Sequence, residues 1–297
     1  MLIIQFKNWR VFLAISFSFC AGCAVDKDAS YRPPFQGIIG HTFALNQPMI
    51  LTRSYGYLFG NNVSLSLSLR INRDSGPGGA GPNADYQHGM ADLAAGGVKM
   101  IGYVATGYGT RSLSSIESDI ELWSSSFPEV SGIFLNEESK NPAELSFYQT
   151  IYDYVLTKSE LKTVIANPGT NTPESFISAL TANTTMLFES GTGWESYATD
   201  GYVANYSRSR FAASFYDLST TAEMESAVNL AQERNFGYVF ATDGTGANPY
   251  DALPSYWNEE VSYVASVPEP STMVLAGLGV LWLAWWRQRR RLTGIWR

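Results

Sequence analysis

Short apolar runs alternate with polar stretches along the chain from about residue 35 to about residue 263. Most of these runs are rich in β-branched or aromatic residues, which is typical of strands buried in a parallel sheet. The Ser-Leu alternation of the second run is by itself also compatible with an antiparallel strand. The pattern predicts eight strands: Gly37–Phe43, Ser64–Ile71, Lys99–Ala105, Val130–Leu135, Lys162–Ala166, Thr185–Phe188, Arg210–Phe215 and Gly237–Ala241.

Helix start signals lie between the predicted strands. Ser114 with Glu117, and Thr220 with Glu223, have the spacing of a capping box, and Asn141 precedes a proline at a predicted first turn. Strands and helices that alternate over about 230 residues predict an α/β fold, a single-domain TIM-like (β/α)8 barrel over residues 30–264. A doubly wound sheet is the alternative, but no glycine-rich dinucleotide fingerprint follows a predicted strand.

Residues 1–24 are typical of a secretory signal peptide. Two basic residues precede an apolar run over residues 11–19 that is too short to span a bilayer. The following Cys20-Ala21-Gly22-Cys23 resembles the end of a bacterial lipoprotein signal, although Cys20 stands where leucine is usual. The resemblance implies lipidation of Cys23, and ordinary cleavage near Ala24 is the alternative. Because both cysteines lie here, the remaining chain is expected to lack a disulfide.

Residues 267–297 form a tail of three parts: a Pro-Glu-Pro segment, an apolar run over residues 273–286, and an arginine cluster. A basic cluster after an apolar run keeps its end in the cytoplasm. The order resembles the PEP-CTERM sorting tail of Gram-negative bacteria that make exopolysaccharide. The resemblance implies export to the periplasm, outer membrane or cell surface, a transmembrane segment at 273–286 before processing, and cutting by an exosortase-like sorting protease. A plain C-terminal anchor is the alternative.

The composition narrows the class of protein. An aromatic content of 14% and a hydrophobic content of 45% supply enough apolar surface for a core, which argues against a disordered chain. Two histidines are too few for a histidine-rich metal site, and we expect neither a metal nor an organic cofactor. The formal net charge of −7, with many of the basic residues at the two ends, argues against a nucleic-acid partner.

Carboxylates follow several predicted strands. Catalytic groups of a (β/α)8 barrel lie at the carboxyl ends of its strands, where Glu137 follows the fourth strand and Glu189 the sixth. Two such carboxylates are the minimum machinery of glycoside hydrolysis. Asp217 and Asp243 follow the seventh and eighth strands. Glu138 is interpreted as a solvated residue, because glutamate is mostly exposed.

Aromatic residues at the same ends are candidates for stacking on sugar rings. We predict substrate binding by Tyr103, Tyr108, Trp194 and Tyr250, together with Asp243. Packing in the core is the commoner fate of such aromatic side chains and is the alternative for each of them.

Several short segments, taken in order, resemble one known family over about residues 64–260. The segments are Ile71-Asn72, Ser75-Gly76-Pro77-Gly78, Asn83 with Asp85-Tyr86, Ile101-Gly102-Tyr103-Val104 with Thr106 and Tyr108-Gly109, Val130 to Glu137, Asn167-Pro168-Gly169-Thr170, Phe188-Glu189, Thr242-Asp243, and Pro249-Tyr250 with Leu253-Pro254. They are similar to the spherulin type 4 (spherulation-specific) family. Its members are similar to (β/α)8 glycoside hydrolases of microbial exopolysaccharide, including galactosamine-containing polymers.

The resemblance implies three catalytic positions: Asn136, Glu137 and Glu189. The family has an Asp-Glu pair after the fourth strand, so Asn136 is a departure, since an amide cannot ionise. Two functions therefore remain open. The chain is an exported glycoside hydrolase of galactosamine-containing exopolysaccharide, or it is a catalytically decayed carbohydrate-binding or biofilm-matrix protein on the same fold. A purely structural surface protein is a third reading.

Overall fold

The computed structural model describes residues 2–7, 64–71, 76–78, 84–95, 98–250 and 252–267. Its strands neighbour one another in chain order and close into a ring. They are β1 Leu2–Lys7, β2 Ser64–Ile71, β3 Lys99–Ala105, β4 Val130–Asn136, β5 Thr163–Asn167, β6 Thr184–Ser190, β7 Phe211–Phe215 and β8 Tyr238–Ala241.

The sheet is parallel from β2 to β8, and β1 is its exception. Each neighbouring pair from β2 to β8 is parallel, whereas β1 runs antiparallel to both β2 and β8. The α/β class with a curled parallel sheet is therefore confirmed. Eight parallel strands are not established, because β1 is antiparallel and the predicted strand Gly37–Phe43 lies outside the described residues.

Helices connect most of the parallel strands. They are α1 Ala84–Ala95, α2 Leu113–Ser126, α3 Leu145–Leu156, α4 Glu174–Ser178, α5 Thr221–Glu233 and α6 Trp257–Ser266. Short 3-10 turns occur at Gly107–Gly109, Pro142–Glu144, Gly201–Asn205 and Arg208–Arg210.

The observed helix caps agree with those predicted from the sequence, except at one helix. The capping box of Thr220 and Glu223 is present at the start of α5. Asn141 caps the 3-10 turn that precedes α3. The cap of α2 is Ser112, whose hydroxyl accepts a hydrogen bond from the Ser115 N–H, so the predicted box at Ser114 was wrong by two residues. Ser112 is the residue with extended backbone, which a cap requires.

The helix α2 packs tightly on β3 through a glycine. The ring of Trp123 is fully buried and lies where a Cβ on Gly102 would come within 2.6 Å of it. Only glycine allows this approach. The Trp123 indole donates a 2.9 Å hydrogen bond to the carbonyl of Tyr103, so the contact fixes the backbone of a predicted binding residue.

No helix within the described ranges is long and apolar enough to cross a bilayer. The predicted transmembrane segment 273–286, Cys23 and most of the predicted signal peptide lie outside those ranges. Residues 2–7 of that signal form β1.

Candidate functional site

Polar side chains follow one another around the carboxyl edge of the parallel sheet. Each of five consecutive strands carries one near its carboxyl end: Tyr103 on β3, Asn136 on β4, Asn167 on β5, Glu189 on β6 and Ser214 on β7. Parallel pairing brings these ends to the same edge, and Asn136 and Asn167 are direct register partners. The carboxyl edge is where (β/α) folds place their sites.

These five residues and Tyr250, which follows β8, form one hydrogen-bonded chain that we call the polar row. Its contacts are Asn136 Nδ2 to Tyr103 Oη at 2.8 Å, Asn167 Nδ2 to Asn136 Oδ1 at 2.9 Å, Asn167 Nδ2 to Glu189 Oε2 at 2.5 Å, Tyr250 Oη to Glu189 Oε1 at 2.8 Å, and Tyr250 Oη with Ser214 Oγ at 3.2 Å. The row links the strands from β3 to β7, and the segment after β8, through side chains alone.

Glu189 receives a donor on each carboxylate oxygen. The amide nitrogen of Asn167 donates to one oxygen and the hydroxyl of Tyr250 to the other. A protonated carboxyl group needs an acceptor for its own hydrogen, whereas an ionised one only accepts. Both contacts from the described residues therefore suit the ionised form of Glu189.

Glu137 has a different environment directly after β4. Its backbone is left-handed, with φ of 58°, which is uncommon outside glycine. The side chain is half-buried. No hydrogen bond to its carboxylate comes from the part of the chain that the structure describes. Glu137 is thus a carboxylate without the donors that hold Glu189.

Glu138 is buried and not solvated, so its interpretation from the sequence was wrong. It is 1% exposed, and neither carboxylate oxygen has a hydrogen-bond partner among the described residues. Burial raises the pKa of Glu138 to about 8. The group is therefore protonated at neutral pH, because loss of water penalises the charged form.

The predicted binding residues differ in exposure and in their contacts. Tyr103 and Tyr250 belong to the polar row and are mostly buried. Tyr108 is 62% exposed. Asp243 is engaged by the backbone, since each of its carboxylate oxygens lies 3.2 Å from the Ser255 N–H that donates to them. Trp194 is 7% exposed and packs edge-on against a phenylalanine of β7, so little of its ring remains to stack on a ligand.

Asn167 was not among the predicted site residues, although its side-chain amide contacts both Asn136 and Glu189. A signal was present, since a polar residue ends an otherwise apolar strand at Asn167 as it does at Asn136. The predicted site residues were carboxylates, aromatic residues and Asn136, and this second amide was not included. As for metals, the described residues contain no group of three His, Cys, Asp or Glu placed to hold an ion.

Comparison with known proteins supports both resemblances found in the sequence, that of the body of the chain and that of its C-terminal tail. Residues 58–264 match the spherulation-specific family 4, and residues 266–291 match the PEP-CTERM protein-sorting motif. The motif indicates export to the cell envelope of a Gram-negative bacterium. Spherulin-4 of Physarum polycephalum is 32% identical over an alignment of 202 residues, and the match covers 65% of this chain. The match spans 60% of the length of that protein.

A solved structure shares the fold. The crystal structure of Aspergillus clavatus Sph3 in complex with GalNAc aligns with a TM-score of 0.58 and 25% sequence identity. The alignment covers 67% of this chain and 85% of Sph3. Because the family match covers more than half of the sequence, the chain belongs to the spherulation-specific family 4.

Proposed function

We propose that this protein is an exported glycoside hydrolase that cleaves a galactosamine-containing exopolysaccharide. The observation that carries the proposal is the carboxylate of Glu189, which two neutral donors hold at the carboxyl edge of the sheet. A fixed, ionised carboxylate is what a glycosidase uses to attack, or to activate water against, the anomeric carbon.

The two carboxylates take different roles in this proposal. Glu189 is the nucleophile or base, since its contacts suit the ionised form. Glu137 is the acid that protonates the departing sugar oxygen, since none of the described residues donates to its carboxylate. Substrate contacts come from Tyr103, Tyr108, Tyr250 and Asp243 in this proposal. Trp194 contributes least, because its ring packs edge-on against a phenylalanine of β7.

The sugar is inferred from the structural neighbour, which was crystallised with GalNAc. The sorting motif supports a substrate outside the cytoplasm. An acidic protein also suits a polymer with free amino groups, because opposite charges attract.

The test incubates the full-length protein with galactosamine-rich and glucosamine-rich exopolysaccharides and measures new reducing ends. Replacing the ionised group in Glu189→Gln should lower kcat by about 10²–10⁴-fold, and Glu137→Gln should do the same. Glu259→Gln on the exposed face of α6 is the matched control and should change nothing. Equal release by the native chain and Glu189→Gln would sink the proposal.

Asn136 supports a second function, a carbohydrate-binding protein that has lost its activity. Its amide cannot ionise, and both ends are engaged in the polar row. On this reading the native chain binds polymer without releasing ends, and Asn136→Asp restores release. Activity in the native chain that Asn136→Asp does not increase would exclude it.

We also propose that export processing completes a (β/α)8 barrel over residues 30–264. A signal peptide over residues 1–24 would carry β1 away and leave β2 and β8 without a partner between them. Unpaired strand edges are unfavourable, and the predicted strand Gly37–Phe43 is the segment available to fill the place.

A further inference from the structure

The backbone of residues 136–139, which carries Glu137, is held at every residue by a neighbouring element. The Asn136 carbonyl accepts from the Thr106 N–H at 2.9 Å and the Glu137 carbonyl from the Tyr108 N–H at 2.8 Å. The Glu138 N–H donates to a carbonyl of β5 at 3.0 Å. The Ser139 N–H donates to the Tyr148 hydroxyl at 2.7 Å.

Two buried hydroxyl groups connect these contacts. The Thr106 hydroxyl lies 2.6 Å from the Glu137 carbonyl, 2.9 Å from the Asn136 carbonyl and 3.0 Å from the Tyr148 hydroxyl. The Thr106 hydroxyl has one hydrogen, and the Glu137 carbonyl is the closer of its two carbonyl acceptors. When that hydrogen is donated to a carbonyl, Tyr148 is the donor to Thr106, because a carbonyl can only accept. The contacts then run from the Ser139 N–H to Tyr148, to Thr106, and to the Glu137 carbonyl.

Neither hydroxyl is exposed. Thr106 and Tyr148 both have 0% relative exposure, so the described contacts are not shared with bulk solvent. Burial raises the pKa of Tyr148 to about 12, which keeps the phenol a donor at any physiological pH. Burial and the high pKa of Tyr148 therefore keep these hydrogen bonds in place at physiological pH.

The backbone of Glu137 is in an unfavourable conformation. A left-handed conformation costs a residue such as Glu137 about 1–2 kcal/mol, so the chain adopts it only when its surroundings impose it. The short contact from Thr106 falls on the carbonyl of that same residue. The contact is therefore suited to impose the unfavourable dihedral.

We propose that Thr106 and Tyr148 are positioning residues that hold Glu137 in its reactive placement. The inference rests on the proposed function, in which Glu137 is the acid. Neither residue touches substrate, so removing either hydroxyl should impair kcat and leave KM nearly unchanged. Displacement of a catalytic group by about 1 Å is sufficient to cost about 10²-fold.

The decisive variants are Thr106→Val, which keeps the shape and removes the hydroxyl, and Thr106→Ser, which restores it. In the full-length protein, Thr106→Val should lower kcat on galactosamine-rich polymer about 10–100-fold with KM within about threefold. Thr106→Ser should recover kcat to within about threefold, and Tyr148→Phe should behave as Thr106→Val. A fall in folded fraction with unchanged kcat per folded molecule would overturn the proposal.

Thr184→Val is the matched control. Thr184, the first residue of β6, is also a buried threonine whose hydroxyl donates to a carbonyl, that of Ser209 at 3.0 Å, but it lies at the opposite edge of the sheet. Its replacement should lower stability and leave kcat unchanged. An equal loss of kcat in Thr184→Val and Thr106→Val would show that any buried threonine has this effect.

Hydrogen exchange provides a readout that does not depend on turnover. Amides of residues 137–139 and of Tyr108 should exchange faster in Thr106→Val than in the native chain, with protection restored in Thr106→Ser. Unchanged exchange in Thr106→Val would overturn the positioning role. If the native chain releases no reducing ends but exchange follows this order, the proposed function fails and the inferred restraint on Glu137 stands.

Discussion

Asn136 can be replaced by aspartate without breaking the polar row, and this decides how its departure from the family pattern is interpreted. At present Asn136 donates to the Tyr103 hydroxyl and accepts from Asn167. A carboxylate at residue 136 could accept from both neighbours, because a tyrosine hydroxyl can reverse its role from acceptor to donor. The contacts therefore do not require asparagine, and a urea midpoint of Asn136→Asp equal to that of the native chain would show that its effect on activity is chemical.

Glu138 should make stability depend on pH. Burial raises its pKa to about 8 from an ordinary 4.5, so the folded state keeps a proton that the unfolded chain releases between these values. Stability therefore falls as pH rises from about 4.5 to about 8, by up to about 1.4 kcal/mol for each pH unit, and is level above. Glu260 on α6, fully buried with its pKa raised to about 8 by burial, acts in the same direction.

Glu138→Gln should reduce this slope and raise the urea midpoint at pH 8, with little change at pH 4.5. Midpoints of urea unfolding between pH 4.5 and pH 9 are the measurement. Glu259→Gln, on the exposed residue next to Glu260, is the control and should keep the native slope. A slope that Glu138→Gln leaves intact would contradict the assignment of a protonated group at this position.

At the scale of elements, hydrophobic periodicity located the described parallel strands within two residues of their observed ends. The predictions Ser64–Ile71 and Lys99–Ala105 agree with β2 and β3 in both bounds. The strands β4, β5 and β6 run one or two residues beyond their predicted ends, through Asn136, Asn167 and Ser190. Apolar patterns report burial, whereas backbone pairing continues into the polar site residues, which is why the pattern ends early.

The contacts within the site could not be predicted from the pattern. The sequence places Asn136 and Glu189 at strand ends, but the bridge between them depends on register, which pairs Asn136 with Asn167. The left-handed backbone of Glu137 likewise occurs where residues distant in sequence, such as Thr106, contact its carbonyl. Local propensity does not contain this information.

The corrected cap of α2 gives a matched pair of substitutions. Ser112→Ala removes the hydroxyl that accepts from the Ser115 N–H and should lower the free energy of unfolding by about 1 kcal/mol. Ser114→Ala removes an exposed hydroxyl that contacts the Ser112 hydroxyl at 3.2 Å but accepts from no backbone N–H, and it should change the free energy of unfolding by less than about 0.5 kcal/mol. Urea unfolding of both variants is the test, and a larger loss in Ser114→Ala would restore the cap that the sequence predicted.

At the scale of the whole molecule, the N-terminal segment has two assignments that cannot hold together in the mature protein. Residues 2–7 form β1, which pairs Ile4 with Leu67 of β2 and with Val239 of β8, yet the same residues belong to the predicted signal peptide. Cleavage would expose two strand edges at once. The proposed completion of the barrel after export would remove this conflict, and it is open to test.

Hydrogen exchange on the precursor and on the chain recovered after export distinguishes the two arrangements. If residues 37–43 replace β1, their amides should become protected in the exported chain, while β2 and β8 stay as protected as they are in the precursor. The strand β5 lies between β4 and β6 in both forms and serves as the internal reference. Rapid exchange of β2 and β8 after export, with β5 still protected, would mean that the sheet stays open where β1 was and would refute the eight-stranded barrel.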